Sequence, residues 1–379
     1  MSAPEVMVGS FPAPFRIVFR HTSAARAATE NVMVRLTDAD GTVGWGEGTP
    51  RSYVTGETAA SATRFLAATA QRLVAEVDDV DALREWIERE RATIDEAPAA
   101  FCALETAALD LFARRRRCSV EALLGRPELA GAATYSAVLG DSGPLTFGAQ
   151  MLRYRIGGLR HYKIKLSGER GRDRAKFRWF RGPFGRVVAS SVRVDTNNLW
   201  RRADEASDHL QAMGRPLLGI EEPLTADDLD GFAAIVSAVG SPVILDESLL
   251  RPGQIDRLPG EGGDWILNCR VSKSGGVLRS IDLIEQAVDA GLGVIVGAHV
   301  GESSLLTRAA LTVAAAAGDA LVAQEGAFGT RLLLHDVCEH PLMFGRRGRL
   351  GAAERSVIGP HGWGIDVADH RVEPVEPQT

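Results

Sequence analysis

Cysteine is scarce in this 379-residue chain: four residues, Cys102, Cys118, Cys269 and Cys338, with no C-x-x-C spacing. That pattern supports neither a zinc ribbon nor the disulfide framework of a small secreted domain. Long hydrophobic runs are missing too, and none reaches the roughly 20 residues that a membrane helix requires. The N-terminal stretch MSAPEVMVGSFPAPFRI has no basic region leading into an apolar one. A secretory signal is therefore not expected, and a cytoplasmic location is. Positive charge is not in excess either: 49 acidic residues against 43 lysines and arginines leave a net charge of -6. This argues against nucleic acid and anionic membranes as partners. No His-x-His occurs, which disfavours a barrel hydrolase with a histidine-bound metal.

Lysine is the most telling scarcity. Only Lys163, Lys165, Lys176 and Lys273 stand among the 43 cationic residues. Arginine stays protonated, whereas a desolvated lysine can give up its proton and act as a base. A genome rich in G and C accounts for the arginines. It does not account for two of four lysines lying one residue apart in an extended segment, nor for a third just before a Gly-Gly turn.

The first third of the chain reads as α+β. An extended stretch at 15–20 precedes alternating segments at 31–36 and 42–46 around the turn Asp38-Ala-Asp-Gly41, the pattern of a hairpin. Helical periodicity follows near 57–75, 81–93 and 98–116, the last ending in four arginines that suit a helix C-terminus. From about residue 133 the texture becomes strand and helix in alternation. Strands are expected at 134–140, 161–167, 191–197, 218–222, 242–247, 265–271, 293–299 and 320–325, with amphipathic segments such as 227–238 and 277–291 between them. Eight such steps predict an α/β protein, a (β/α)8-type barrel behind an N-terminal α+β capping domain. A doubly wound sheet is the competitor, but no Gly-rich phosphate fingerprint follows the first strand. The expected domains are 1–130 (cap), 131–340 (barrel) and 341–379, a segment that packs back on the cap.

Polar residues at the C-terminal ends of barrel strands face the catalytic mouth. Here those ends read Lys163-Ile-Lys165, Asp195-Thr-Asn197, Glu221-Glu222, Asp246-Glu247, Lys273-Ser-Gly-Gly and His299-Val-Gly-Glu302. Strand side chains alternate, so Lys163 and Lys165 share a face, as do Asp195 and Asn197. The carboxylates of Asp195, Glu221 and Asp246, from three neighbouring strands, would repel one another unless a cation stood between them. Oxygen ligands suit a hard ion, Mg²⁺ before Mn²⁺. Each carboxylate alone reads equally as a helix cap or a salt bridge; three on consecutive strands between lysines do not. Lys165 and Lys273 fall on the second and sixth strands, across the barrel from each other. They could serve as acid and base on opposite faces of a small-molecule carboxylate, with Lys163 a neighbouring cation.

The order K-x-K, VDTNNLW, IEEP, LDES and SKSGG resembles the enolase superfamily and, within it, the muconate-lactonizing (mandelate racemase/muconate lactonizing enzyme-like) subgroup. The pairing of a lysine base with Mg²⁺ is the known pattern of that superfamily, so here it comes with the resemblance rather than from residue spacing. The segments GWGEG (44–48) and PRSYVTGET (50–58) look like its capping domain. The resemblance implies that Glu221 rather than Glu222, and Asp246 rather than Glu247, are the ligands. It also implies α-proton abstraction through an enediolate, and a homo-oligomer. Such a site could run as a cycloisomerase or racemase/epimerase, or as a dehydratase or o-succinylbenzoate synthase-like lyase. A non-catalytic binding barrel is the contrasting reading, and the intact constellation disfavours it. Dipeptide epimerases of the family carry an Asp-x-Asp pair at the eighth strand for the substrate ammonium, where this chain has Ala323-Gln324-Glu325-Gly326. Asn197, Glu247, His299 and Glu302 are further candidates around the substrate. Arg26, Arg51 and Tyr53 are candidates for a second anionic group.

Overall fold

The computed structural model describes residues 3–21, 24–180, 192–214 and 216–375, with 17–21 and 24–26 described in backbone only. The N-terminal unit begins with β1 (Glu5–Phe11), β2 (Pro14–His21), β3 (Ala24–Ala28), β4 (Asn31–Thr37) and β5 (Val43–Gly48). β1, β4 and β5 form an antiparallel sheet, while β2 pairs with β3 apart from it. The β4–β5 hairpin closes at Asp38, whose N–H donates to the Thr42 carbonyl at 2.8 Å. Helices α1 (Ala59–Glu76), α2 (Val80–Arg89), α3 (Arg91–Glu96), α4 (Pro98–Arg115) and α5 (Val120–Leu123) follow. The single helix expected at 81–93 is therefore two. Glu90 leaves the helical region (φ -97°, ψ 14°) after its N–H closes α2 on the Trp86 carbonyl.

The GWGEG segment has a packing reason. Gly44, Gly46 and Gly48 alternate along β5 on the face that meets α4. A Cβ at Gly46 would stand 2.0 Å from the Ala103 carbonyl, and one at Gly48 1.9 Å from that of Ala99. The Ala-rich helix and the glycine-lined strand thus approach backbone to backbone.

Beyond β6 (Ala133–Thr134) the barrel strands are β7 (Ala137–Leu139), β8 (Tyr162–Lys165), β9 (Val192–Asp195), β10 (Gly219–Glu221), β11 (Val243–Leu245), β12 (Trp265–Cys269), β13 (Gly293–Val296) and β14 (Leu321–Gln324). All are parallel in the order β14-β13-β12-β11-β10-β9-β8-β7. A parallel bridge from Tyr135 to Gln324, with Ser136 N–H on the Gln324 carbonyl at 2.9 Å, joins the last strand to the first. The crossovers use α6 (Pro144–Ile156), α7 (Arg170–Phe177), α8 (Ala203–Gln211) and α9 (Leu229–Val239), then α10 (Val271–Ser274) with α11 (Val277–Asp289), and α12 (Ser304–Ala316). Between β11 and β12 two 3₁₀ turns, Pro252–Arg257 and Gly262–Asp264, stand in place of an α-helix. Past β14, β15 (Arg349–Leu350) pairs with β6 and β16 (Glu373–Pro374) with β1. Trp363 donates to Asp110 and, through its indole, to the Thr106 carbonyl, so this stretch lies against α4. Among the described residues no helix is long and apolar enough to cross a membrane, and all four cysteines are free.

Carboxylates from the N-terminal unit bind the first turns of barrel helices, where backbone N–H groups lack helical partners. Glu105 of α4 accepts from Val277 and Leu278 at 3.0 and 2.7 Å; Glu47 of β5 accepts from Ser303 and Leu306 at 3.0 and 3.2 Å. Burial pushes both carboxyls up to about 7. Raised folded values mean stability that is full below an unfolded pKa near 4.5 and lost as pH rises through about 7. Thermal melts should accordingly show a falling melting temperature across that window. Glu105→Gln should flatten the slope, whatever its effect at a single pH. An unchanged slope would show that Glu105 does not titrate there.

Candidate active site

The interior of the barrel is layered by strand alternation. Its lower part is filled by Ile244, Ile266, Ile295 and Ala323, a small cluster of their own. Two residues further along, three of the four positions turn polar, Asp246, Asn268 and Glu325, while the fourth is Gly297. On β8, β9 and β10 the same face carries Lys163, Lys165, Arg193, Asp195 and Glu221. A hydrophobic floor thus supports a charged layer that opens at the strand ends.

Asp195, Glu221 and Asp246 come together there, 3%, 2% and 1% exposed, which is too little water to leave three charges uncompensated. Lys163 answers two of them, with Nζ at 2.7 Å from Glu221 Oε1 and 3.6 Å from Asp195 Oδ2. Burial opposes its charge, but Glu221, Glu325 and Asp195 raise the Lys163 pKa, so it is held as a cation. Lys165 lies 3.4 Å from Asp195 Oδ2 and donates to Asn197 Oδ1 at 3.1 Å. Asn197 adopts φ 46° just past the strand, a left-handed conformation that asparagine tolerates better than most residues. Lys273 lies one turn beyond β12, on α10 rather than on the strand itself. It donates to Asp246 Oδ1 at 2.7 Å and to the carbonyls of Asp246 and Asn268 at 2.6 and 2.8 Å. β8 and β12 are four places apart in the eight-stranded order, so the two lysines enter from opposite sides.

Glu222 points away from this group. Its carboxylate accepts from Asp246 N at 2.7 Å and from Ser248 N and Oγ at 2.9 and 2.7 Å, which fixes the loop carrying Asp246. Glu247, half-buried, is pushed up to about 7, first by burial and then by the charges of Asp246 and Glu222.

Three residues outside the strand-end candidates complete the layer. Arg270 bonds Asp246 Oδ2 and stands 3.7 Å from Glu221 Oε1. Despite burial, Arg270 and Lys273 keep Asp246 low, whereas burial and the neighbouring carboxylates push Glu221 up. Arg193, fully buried, donates to Glu325 Oε1 at 2.5 Å and Ser136 Oγ at 3.0 Å, and Glu325 also lies 3.3 Å from Lys163. A signal for them exists in the alternation: Arg193 is two residues before Asp195, Arg270 two after Asn268, and Glu325 two after Ala323. Following each inward-facing register by one more step would have found all three.

Past β13, between the strands that lead to Arg270 and Glu325, His299 Nδ1 meets Thr49 Oγ1 at 2.9 Å, and His299 N–H donates to Glu302 Oε1 at 2.6 Å. Burial pushes Glu302 up to about 8. Arg51, expected as an anion contact, is fully buried and donates to the Pro50 and Val300 carbonyls, both at 2.7 Å. It ties the N-terminal unit to the barrel through the Val300 carbonyl. Tyr53 is half-buried in the turn that Arg51 begins. Arg26 falls on β3, its side chain outside the described residues.

Among the described residues no three His, Cys, Asp or Glu side chains are arranged as a metal site as they stand. Lys163, Arg270 and Lys273 take up the acidic oxygens instead. The donor set nevertheless fits a hard cation: three carboxylates, with the buried Glu221 Oε2 meeting no hydrogen-bond donor.

Comparison with known proteins defines the class. Residues 5–125 match the mandelate racemase / muconate lactonizing enzyme N-terminal domain, and residues 146–370 the enolase C-terminal domain-like family. The chain belongs to this family of the enolase superfamily and is an isomerase of it. It is 28% identical over 358 residues to the aromatic dipeptide epimerase of Herpetosiphon aurantiacus, covering 92% of this chain and 95% of that one. It is 26% identical over 306 residues to the N-succinyl-L-Arg/Lys racemase of Bacillus cereus, covering 79% and 80%. A dipeptide epimerase from Methylococcus capsulatus, solved with Mg and the dipeptide L-Arg-D-Lys, superposes with a TM-score of 0.79 at 27% identity over 96% of this chain and 99% of that one.

Proposed function

We propose that this chain racemises or epimerises the carbon next to the carboxylate of an N-acylated amino acid. The observation that carries the reading is the pair Lys165 and Lys273, entering from opposite sides of one buried acidic cluster. Asp195, Glu221 and Asp246 would hold Mg²⁺, with Mn²⁺ as the alternative. Bound there, the ion would supply positive charge to offset the negative charge that develops on the substrate carboxylate. Lys163 and Arg270, which lie on the same acidic oxygens, would serve as cations for the substrate carboxylate. One of Lys165 and Lys273 removes the α-proton, and the other returns a proton on the far face. The racemases and epimerases among the relatives favour this outcome over cycloisomerisation or elimination. A homo-oligomer, implied by the family resemblance, belongs to the same reading.

The N-acyl preference rests on Glu325. Two cations, Arg193 and Lys163, already neutralise it, and they hold its carboxyl at about 2 against the effect of burial. No carboxylate is thereby left at the eighth strand for a substrate ammonium. The dipeptide epimerases among the relatives favour a second reading, in which the substrate is a dipeptide. Chiral chromatography of N-succinyl and N-acetyl amino acids beside dipeptides, with Mg²⁺ and with EDTA, separates the two. Inversion of the N-acyl compounds at higher kcat/KM, lost with EDTA, is expected. Higher kcat/KM for dipeptides would move the assignment to the second reading, and inversion of neither would remove both.

A further inference from the structure

Three of the four lysines lie in the active site, and the fourth is bound to its edge. Lys176, on α7, is 4% exposed. Its Nζ donates to the Lys165 carbonyl at 2.7 Å, to Asp141 Oδ1 at 2.7 Å and to Asp173 Oδ1 at 3.0 Å. The three acceptors come from the end of β8, the loop after β7 and α7 itself. An ammonium has three N–H donors on a compact centre, and here each has an acceptor. A guanidinium is a planar fork that spreads its donors in one plane and cannot serve three such oxygens from one point. In a chain that otherwise favours arginine, this geometry gives a reason for lysine at this position.

The anchor is braced in turn. Asp173, fully buried, accepts from Ser167 N and Oγ, both at 2.9 Å, from Gly168 N at 3.1 Å, and pairs with His209 Nε2 at 3.0 Å. The residues just after Lys165 are therefore tied to the same carboxylate that holds Lys176. His209, on α8, packs against Trp200 with ring centroids 5.0 Å apart. The Lys165 backbone is held from outside the barrel while its side chain meets Asp195 and Asn197 inside.

We propose that Lys176 is a positioning residue for Lys165, fixing the end of β8 so that the Lys165 amine presents to one face of the substrate. It touches no reacting atom and acts only through the Lys165 backbone. A misplacement of about 1 Å at a reacting group can cost on the order of a hundredfold in rate. The effect should be one-sided, because Lys273 hangs from a different strand and different acceptors.

With only four lysines, each can be followed separately. Wild type, Lys176→Met, Lys176→Arg and Asp141→Ala are labelled with limiting acetic anhydride over a range of pH, and lysine peptides are quantified by mass spectrometry. In Lys176→Met the Lys165 labelling profile should change severalfold, with Lys163 and Lys273 as in wild type. Inversion should fall between about tenfold and a hundredfold. Deuterium exchange should be kept for the one enantiomer that still exchanges in Lys165→Ala, and Lys176→Arg should not restore the other. A wild-type Lys165 profile in both Lys176→Met and Asp141→Ala, or equal slowing at both faces, overturns the proposal. If Lys176→Met does not fold, Asp141→Ala decides: a changed Lys165 profile supports the anchor and a wild-type profile refutes it. The proposal rests on the two-lysine reading, yet the labelling needs no substrate. Wild type that exchanges no carboxylate would sink the proposed function and leave the test of Lys176 intact.

Discussion

Replacing Lys165 or Lys273 with alanine is expected to lower the rate of inversion by on the order of 10²- to 10⁴-fold, the range for one positioned acid–base group. Inversion needs a base on one face and an acid on the other, so either loss stops the same overall reaction. The two variants should nonetheless differ in their side effects. Lys273 has no exposed side-chain surface and bonds Asp246 at 2.7 Å, so its loss also removes a cation from a carboxylate proposed to hold the metal. Lys165 keeps 19% of its side chain exposed and is held more loosely, at 3.4 Å from Asp195. Magnesium binding, followed by calorimetry, should thus change in Lys273→Ala and stay near wild type in Lys165→Ala. Retention of wild-type inversion by either variant would contradict the assignment.

The second large effect concerns stability. Arg193→Met should destabilise the fold by about 3–5 kcal/mol, the cost of removing one partner from a buried ion-pair network. Arg193 is fully buried on β9, and its guanidinium joins Glu325, just past β14, and Ser136, just before β7, near where the last strand closes on the first. Removing it leaves Glu325 paired with Lys163, and Lys163 is shared with Glu221 and Asp195. Glu325→Gln in the same background should recover part of the loss, because the uncompensated charge is then gone. The midpoint of chemical denaturation for the single and double variants checks this. Additive losses would show that the two side chains are not coupled.

Much of this architecture was legible in the sequence, and the reasons are physical. The eight strands announced themselves because buried parallel strands are short apolar runs, and a charged residue at the end of such a run has no packing explanation. Asp195, Glu221, Asp246, Lys163 and Lys165 were found on that ground. Arg193, Arg270 and Glu325 were not. A charge within a strand, or just past an irregular end, looks like an error in the strand assignment until its partner from another strand is seen. The setting of Arg51 was hidden for the opposite reason: an arginine in a loop reads as exposed, and only the close approach of residues 49–51 to 299–302 shows it buried and bonded to two backbone carbonyls. The missing helix after β11 and the break at Glu90 leave no strong mark in periodicity, since 3₁₀ turns and short helices share the same apolar spacing. Substrate identity was the least legible part. It depends on which polar groups remain unspent once the protein has satisfied its own, as at Glu325.

The most direct test of the two-lysine account is α-proton exchange in D₂O, followed by NMR with Mg²⁺, on each enantiomer of an N-acyl amino acid. Wild type should exchange both enantiomers. Lys165→Ala and Lys273→Ala should each keep exchange for one enantiomer, and not the same one. Loss of exchange for both enantiomers in one variant, or the same surviving enantiomer in both, would contradict lysines acting on opposite faces.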